Sequence, residues 1–150
     1  MNIFDINLIK VKMAFSDKKS LFEAMVEDLC QQGIVTDKES FLSALLTRED
    51  IMSTGIGFGI GLPHGRHTCV TELKVAVYIL EEGVPFDSLD GLPVNIVFMV
   101  AIPQKAGNEY MKVLNLLSGT LHEDMNRVFF SKTDDIEKIY EYLEGLENES

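Results

Sequence analysis

Two uninterrupted apolar runs constrain the fold of this chain more than any other feature. They are Lys74 to Leu80, with the sequence KVAVYIL, and Val94 to Ile102, with the sequence VNIVFMVAI. Their length and their β-branched residues favour strands, and a strand that is apolar on both sides must be covered on both faces. The runs therefore predict two central strands of a sheet that has helices packed on either side.

Amphipathic helical patterns lie before and after these strands. Apolar residues recur at helical spacing in five stretches, and a further strand is predicted over residues 6–11. The first helix is expected to stop at Gly33, and the second ends near Arg48. The five helices are predicted to begin after Asp17, at a Thr36–Glu39 capping box, at Asn108, and near residues 123 and 134. Strands interleaved with helices predict one layered α/β domain over residues 1–150.

Composition excludes several classes of function. A net charge of -11 argues against nucleic-acid binding, which needs basic surfaces. No apolar run approaches the roughly 20 residues of a membrane span, and the N-terminus lacks a signal-peptide pattern. The two cysteines, Cys30 and Cys69, provide no disulfide framework. We therefore expect a cytoplasmic protein with reduced thiols and no direct membrane insertion.

The most specific segment begins at Gly55, where glycines alternate with apolar residues as far as Gly61. This alternation predicts an extended segment with one bare side, whose other side carries Ile56, Phe58, Ile60 and Leu62. The sequence continues Pro63-His64-Gly65-Arg66. Because proline restricts the backbone on both sides of itself, His64 is expected to be presented at a strand-to-loop junction.

A presented imidazole near two arginines favours phosphoryl chemistry. A neutral imidazole nitrogen is a competent nucleophile near physiological pH. Phosphoryl transfer also needs cations or N–H groups around the phosphoryl oxygens, and Arg48 and Arg66 are the nearby candidates. The glycines fit neither G-x-G-x-x-G nor a P-loop, and no serine occupies a nucleophile elbow. A weaker alternative is a metal-dependent enzyme that uses His64, His67 and Cys69 as ligands.

The string from Arg48 to Arg66, REDIMSTGIGFGIGLPHGR, resembles the signature of enzyme IIA domains of the fructose–mannitol class. These are the type-2 IIA components of the bacterial phosphoenolpyruvate-dependent sugar phosphotransferase system. The resemblance extends over nearly the whole chain, including Val84-Pro85-Phe86-Asp87 and the helix that follows Asn108. It implies a three-layer α/β/α sandwich with a mixed parallel and antiparallel sheet.

The resemblance also implies roles for individual residues. His64 falls on the histidine that accepts a phosphoryl group from phospho-HPr, on its tele nitrogen, and passes it to a cysteine of a IIB domain. Arg48 falls on the arginine that stabilises the phosphoryl group. Thr54, Gly65 and Arg66 belong to the same signature and are expected to contribute to binding. A membrane IIC component belongs to such a system, and neither a metal nor an organic cofactor is implied.

Two positions depart from the family pattern. The family commonly has Asn where this chain has Phe58, and a second active-site histidine where it has Tyr110. A tyrosine hydroxyl can donate a hydrogen bond to a phosphoryl oxygen but cannot supply an imidazolium charge. The Tyr110 departure favours one alternative to transport, a regulatory IIA-like module whose phosphorylation at His64 controls binding to another protein.

Overall fold

The central sheet of the computed structural model, which describes residues 2–149, is built around the two apolar runs. The first forms β5 (Lys74–Val84) and the second forms β6 (Val94–Pro103), and the two strands pair antiparallel. Successive residues of each strand point to opposite faces of the sheet. Both faces of this pair are buried, as the continuous apolar sequence predicts.

The remaining strands make the sheet mixed. Strand β1 (Phe4–Met13) pairs parallel with β5 on one side. On the other side, β3 (Ile60–Gly61) and β4 (His64–His67) pair parallel with β6, and β2 (Gly55–Gly57) pairs antiparallel with β3. The strand order is β1-β5-β6-β3-β2, with β4 also on β6. The predicted mixed sheet is thereby confirmed.

Helices cover both faces of this sheet. Within residues 2–149 they are α1 (Lys18–Gln31), α2 (Lys38–Ile51), α3 (Glu109–Leu121), α4 (Asp124–Lys132) and α5 (Ile136–Glu149). One core cluster joins α1 and α2 to the sheet, and a second joins α3, α4 and α5 to its other face. The three-layer α/β/α prediction is confirmed. None of these helices has the length and apolar character needed to cross a membrane.

The helix ends show where local sequence signals were misleading. Asp37, rather than Thr36, caps α2, because its carboxylate accepts the Ser40 N–H at 3.1 Å. Asn108 lies at the N-cap position of α3, which confirms the predicted start of this helix, but its side chain makes no capping bond. Helix α2 also continues beyond Arg48 to Ile51, which places Arg48 in its last turn.

Candidate functional site

The glycine-rich segment is a tight hairpin rather than one extended strand. Strands β2 and β3 pair antiparallel, and the chain reverses between them. Phe58 and Gly59, at the turn, have φ angles of 59° and 79°. Positive φ at both central residues is typical of the two-residue turn that best matches strand twist. The predicted extended segment with one bare side is therefore wrong, because the chain turns back at Phe58.

Phe58 occupies a backbone conformation that suits Asn better than Phe. Bulky residues are uncommon at positive φ, whereas Asn is enriched there. The turn is held by other contacts: the Phe58 N–H donates to the Asp90 carboxylate at 2.9 Å. The Arg127 guanidinium lies 4.3 Å from the centre of the Phe58 ring, and His122 packs edge-to-face against that ring. The Phe58 departure is thus accommodated by residues at the end of α3 and in α4.

His64 begins strand β4 and pairs in register with Val100 of β6. Its Nδ1 lies 2.9 Å from the carbonyl oxygen of Leu62. A carbonyl oxygen can only accept a hydrogen bond, so Nδ1 carries the proton. The second nitrogen, Nε2, then has a free lone pair. In the neutral ring Nε2 is therefore the nitrogen available to bind or react, and His64 lies at the start of a strand rather than before a loop.

Strand β4 presents different chemistry on its two faces. Gly65 faces α2, where a Cβ atom would lie 3.0 Å from Phe41 Cε1 and 3.3 Å from Leu45 Cδ2. The absent side chain lets α2 approach the strand closely. His64 and Arg66 alternate with Gly65, so both belong to the opposite face. Gly65 thus sets the spacing between α2 and the strand that carries His64.

Arg66 and Tyr110 are brought into contact. The Arg66 guanidinium carbon lies 5.3 Å from the centre of the Tyr110 ring. Its Nε donates to the Gln104 carbonyl at 3.1 Å, and its Nη2 donates to the Ala106 carbonyl. Arg66 therefore connects the His64 strand to the segment that leads into α3, where Tyr110 lies.

Arg48 lies at the end of α2, where its Nη1 donates to the Met52 carbonyl at 2.8 Å. This bond satisfies a carbonyl beyond the last turn of the helix, where cationic side chains are favoured. Within residues 2–149, neither Arg48 nor Tyr110 is hydrogen-bonded to the His64 ring. The structure thus brings Arg66 and Tyr110 together, and it shows no contact that joins Arg48 to either of them or to the His64 ring within the described residues.

Thr54 is buried and belongs to a polar network that the sequence analysis missed. Its N–H and hydroxyl both donate to the Glu49 carboxylate, which also accepts from Lys18 Nζ at 2.9 Å. One sequence signal could have revealed Glu49. It follows Phe41 and Leu45 at intervals of four residues, so an acid continues the buried stripe of α2.

The alternative metal site is not assembled. The Nδ1 of His67 accepts the backbone N–H of Cys69 at 2.9 Å. Burial raises the pKa of the Cys69 thiol, which disfavours the thiolate that binds metals. No group of three or more His, Cys, Asp or Glu side chains in residues 2–149 is placed to hold a metal ion. His64, His67 and Cys69 therefore do not form the proposed ligand set.

Comparisons with known proteins agree with this architecture. A family model described as the phosphoenolpyruvate-dependent sugar phosphotransferase system, EIIA 2, matches residues 2–145. The chain is 35% identical over 124 residues to the fructose-specific EIIA component of Haloferax volcanii, covering 82% of this chain and 80% of that protein.

Solved structures show the same fold. The nitrogen regulatory protein IIA-Ntr from Neisseria meningitidis matches with a TM-score of 0.87 and 30% identity, over 93% of this chain and 94% of that one. Enzyme IIAMTL, solved in complex with phosphorylated enzyme IIBMTL from Escherichia coli, matches with a TM-score of 0.81 and 23% identity, over 95% and 99%. The chain therefore belongs to the type-2 EIIA family of the phosphoenolpyruvate-dependent sugar phosphotransferase system.

Proposed function

We propose that this chain is a phosphocarrier in which His64 takes a phosphoryl group from phospho-HPr and gives it to a cysteine of a IIB domain. A membrane IIC component would complete the system and carry the sugar. One observation carries the proposal: the bond from His64 Nδ1 to the Leu62 carbonyl leaves Nε2 as the free nucleophile. Family membership supplies the reaction for which that nitrogen is suited.

The proposed transfer is a displacement at phosphorus. The Nε2 lone pair of His64 forms the new N–P bond while the N–P bond to the donor imidazole breaks, and the donor ring keeps that electron pair. Positive charge develops on the His64 ring as the bond forms. The Leu62 carbonyl, which accepts from Nδ1, stabilises that charge. In the second step, the IIB thiolate attacks the same phosphorus and His64 leaves as a neutral ring.

Two arginines are proposed to stabilise the phosphoryl oxygens. Arg48 has a planar guanidinium that can bind two oxygens at once, after exchanging its bond to the Met52 carbonyl. Arg66 lies on the same face of β4 as His64 and brings a second cation, while Tyr110 beneath it offers a hydroxyl donor. The contributions of Gly65 and Thr54 are structural in this scheme, through the packing of α2 and the bonds to Glu49.

The direct test is intact mass after incubation with phosphoenolpyruvate, enzyme I and HPr. Wild type should gain one acid-labile phosphoryl group, and His64→Ala should gain none. His67→Ala is the matched control, because it removes the other histidine of the same strand. The assignment would be overturned if His64→Ala were phosphorylated at the wild-type rate. It would also be overturned if His67→Ala lost phosphorylation while His64→Ala kept it.

A second candidate is regulation, in which the phosphorylation state of His64 controls binding to a protein outside sugar transport. Two observations favour it: the similarity to the nitrogen regulatory protein of Neisseria meningitidis, and Tyr110 in place of the second histidine. Incubation of the phosphorylated chain with purified IIB domains separates the candidates. Transfer to a IIB cysteine supports the phosphocarrier. Failure with every IIB tested, together with binding that depends on phosphorylation, supports regulation.

A further inference from the structure

A continuous path of hydrogen bonds connects Lys18, on α1, to the His64 ring. Lys18 Nζ donates to Glu49 Oε2 at 2.9 Å, and the Thr54 N–H donates to the same carboxylate at 3.2 Å. The Thr54 carbonyl then accepts the Leu62 N–H at 3.0 Å. The Leu62 carbonyl accepts from His64 Nδ1 at 2.9 Å. Thr54 and Leu62 are therefore the two residues that connect the Glu49 carboxylate to the hydrogen bond at His64 Nδ1.

Burial of this carboxylate calls for a specific reason. The Glu49 side chain is 3% exposed and that of Lys18 is 18% exposed. Removing an ion pair from water is unfavourable, and well-packed apolar residues are often as stable or more stable in its place. An apolar residue at position 49 would simply continue the stripe of Phe41 and Leu45. An acid at this position therefore implies a requirement that apolar packing alone does not meet.

The carboxylate meets such a requirement by joining three elements at one point. It lies in the last turn of α2, directly after Arg48, and it binds α1 through Lys18. It also binds both the N–H and the hydroxyl of Thr54, just before β2. Because the Thr54 carbonyl is held as well, both peptide planes that flank Thr54 are fixed.

We propose that Glu49 is a positioning residue that holds the Leu62 carbonyl in place and thereby keeps the proton of His64 on Nδ1. This inference rests on the proposed role of His64 as the phosphoryl carrier. Glu49 makes no contact with the phosphoryl group in this scheme. It acts through Thr54 and Leu62, so that Nε2 stays unprotonated and correctly directed, and Lys18 keeps the carboxylate in its bound orientation.

The same connection explains why Lys18 belongs to the assembly. Its amine lies 4.5 Å from the centre of the Phe86 ring, a favourable cation–π arrangement. Phe86 packs in turn against Gly61, where a Cβ atom would lie 3.0 Å from Phe86 Cζ. Lys18 therefore contacts both ends of this path: it binds Glu49 directly, and it packs on Phe86, which contacts Gly61, the residue before Leu62.

The test compares Glu49→Gln, which keeps the shape of the side chain but removes its charge, with wild type. Gln has one acceptor oxygen instead of two and no charge, so it cannot accept from Lys18, the Thr54 N–H and the Thr54 hydroxyl as the carboxylate does, and its bond to the lysine is weaker. The initial rate of phosphoryl acceptance, per folded molecule, should fall about tenfold or more, as misplacement of a reacting group does. Asp28→Asn is the matched control, because Asp28 is also a buried carboxylate with a lysine at 2.9 Å. It should accept at the wild-type rate.

A second readout follows the protonation of His64 directly. Nitrogen-15 NMR of the unphosphorylated protein distinguishes a protonated ring nitrogen from one with a lone pair. Wild type should show the proton on Nδ1, and Glu49→Gln should show a mixture of the two neutral forms. A merely structural role would lower stability without changing this signature. If Glu49→Gln does not fold, Lys18→Met is measured in its place, with Lys10→Met as its control.

The outcomes separate this inference from the proposed function. A slower rate together with a mixed His64 signature supports the positioning role. An unchanged rate, or an unchanged signature, in a folded Glu49 or Lys18 variant overturns it. If wild type accepts no phosphoryl group, the proposed function fails, and the NMR signature alone then decides whether Glu49 sets the protonation of His64.

Discussion

Asp28 and Glu49 are two buried carboxylates on the same side of the sheet, and their partners differ in kind. Asp28, on α1, accepts from Lys10 Nζ at 2.9 Å and from the Tyr78 hydroxyl at 2.6 Å, and both of these donors are side chains. Glu49 also pairs with a lysine at 2.9 Å, but its other bonds reach the backbone and hydroxyl of Thr54.

The difference indicates that one ion pair affects only the stability of the fold, whereas the other also affects the residue at the site. The bonds of Asp28 hold α1 against β1 and β5, away from the strand of His64. Changes at Asp28 should therefore alter the free energy of unfolding and leave the site unchanged. The bonds of Glu49 continue through a backbone segment to His64. Changes there should alter the reaction as well as stability.

The largest expected effect is that of Asp28→Ala. Truncation leaves the Lys10 amine without its carboxylate and the buried Tyr78 hydroxyl without its acceptor. Losing the bond between the buried tyrosine and a charged acceptor costs about 1.5–3 kcal/mol, and losing the pair with Lys10, whose side chain is 43% exposed, adds about 1 kcal/mol or less. Urea unfolding should show this loss, while the rate of phosphoryl acceptance per folded molecule stays at the wild-type value. A reduced rate in the folded variant would show that the two carboxylates do not differ as described.

Tyr78→Phe should have a smaller effect that depends on pH. At neutral pH the lost bond to a charged acceptor costs about 1.5–3 kcal/mol. Burial, and then the bond to Asp28, raise the pKa of Tyr78 above its ordinary value of about 10. Above about pH 10 the unfolded phenol ionises while the folded one stays protonated, so wild type loses stability at about 1.4 kcal/mol per pH unit.

This pH dependence distinguishes the Asp28 cluster from other titrating groups. Urea unfolding of wild type and Tyr78→Phe should converge as the pH rises above about 10, because the variant has no phenol at this position. Parallel curves for the two proteins would contradict the raised pKa of Tyr78.

The smallest expected effect is that of Thr54→Val, which removes one of the bonds to Glu49 and keeps the other. The hydroxyl is lost, but the backbone N–H still donates to the carboxylate. Stability should fall by about 1.5 kcal/mol, the low end for a bond to a charged acceptor, because the carboxylate keeps its bonds to Lys18 and to the Thr54 N–H. Phosphoryl acceptance should change little, because the path to His64 passes through the backbone of residue 54. Both quantities are measured, the rate of acceptance and the urea unfolding curve. A large loss of acceptance would show that the Thr54 hydroxyl, rather than its backbone, connects Glu49 to His64.

Much of the fold was accessible from sequence because periodic apolar residues dominate it. The runs that form β5 and β6 and the helical patterns around them were assigned correctly. The hairpin at Phe58 was missed because a sequence of alternating glycines is compatible both with an extended strand and with a tight turn. The cap of α2 was placed one residue early because Thr36 and Asp37 are both good capping residues. The hydroxyl of Thr36 instead donates to the Cys69 carbonyl.

The signature pointed to His64, Arg48 and Arg66 as candidates, and their roles stay predictions. The polar network that supports this part of the chain was not predicted. Glu49 was missed although it stands beside Arg48, because its importance depends on Lys18, which is distant in sequence. Which nitrogen of His64 is free also depends on a backbone carbonyl position that only the folded chain defines.

The parallel pairing of β3 and β4 with β6 has a consequence for the order in which the protein can mature during synthesis. Both short strands are made before β6, their partner in the sheet. A chain growing at about 5–20 residues per second therefore exposes the glycine-rich segment for seconds before that partner emerges from the ribosome. During this interval His64 lacks its pairing with Val100, and a chain truncated before Val94 would lack the strand with which β4 pairs.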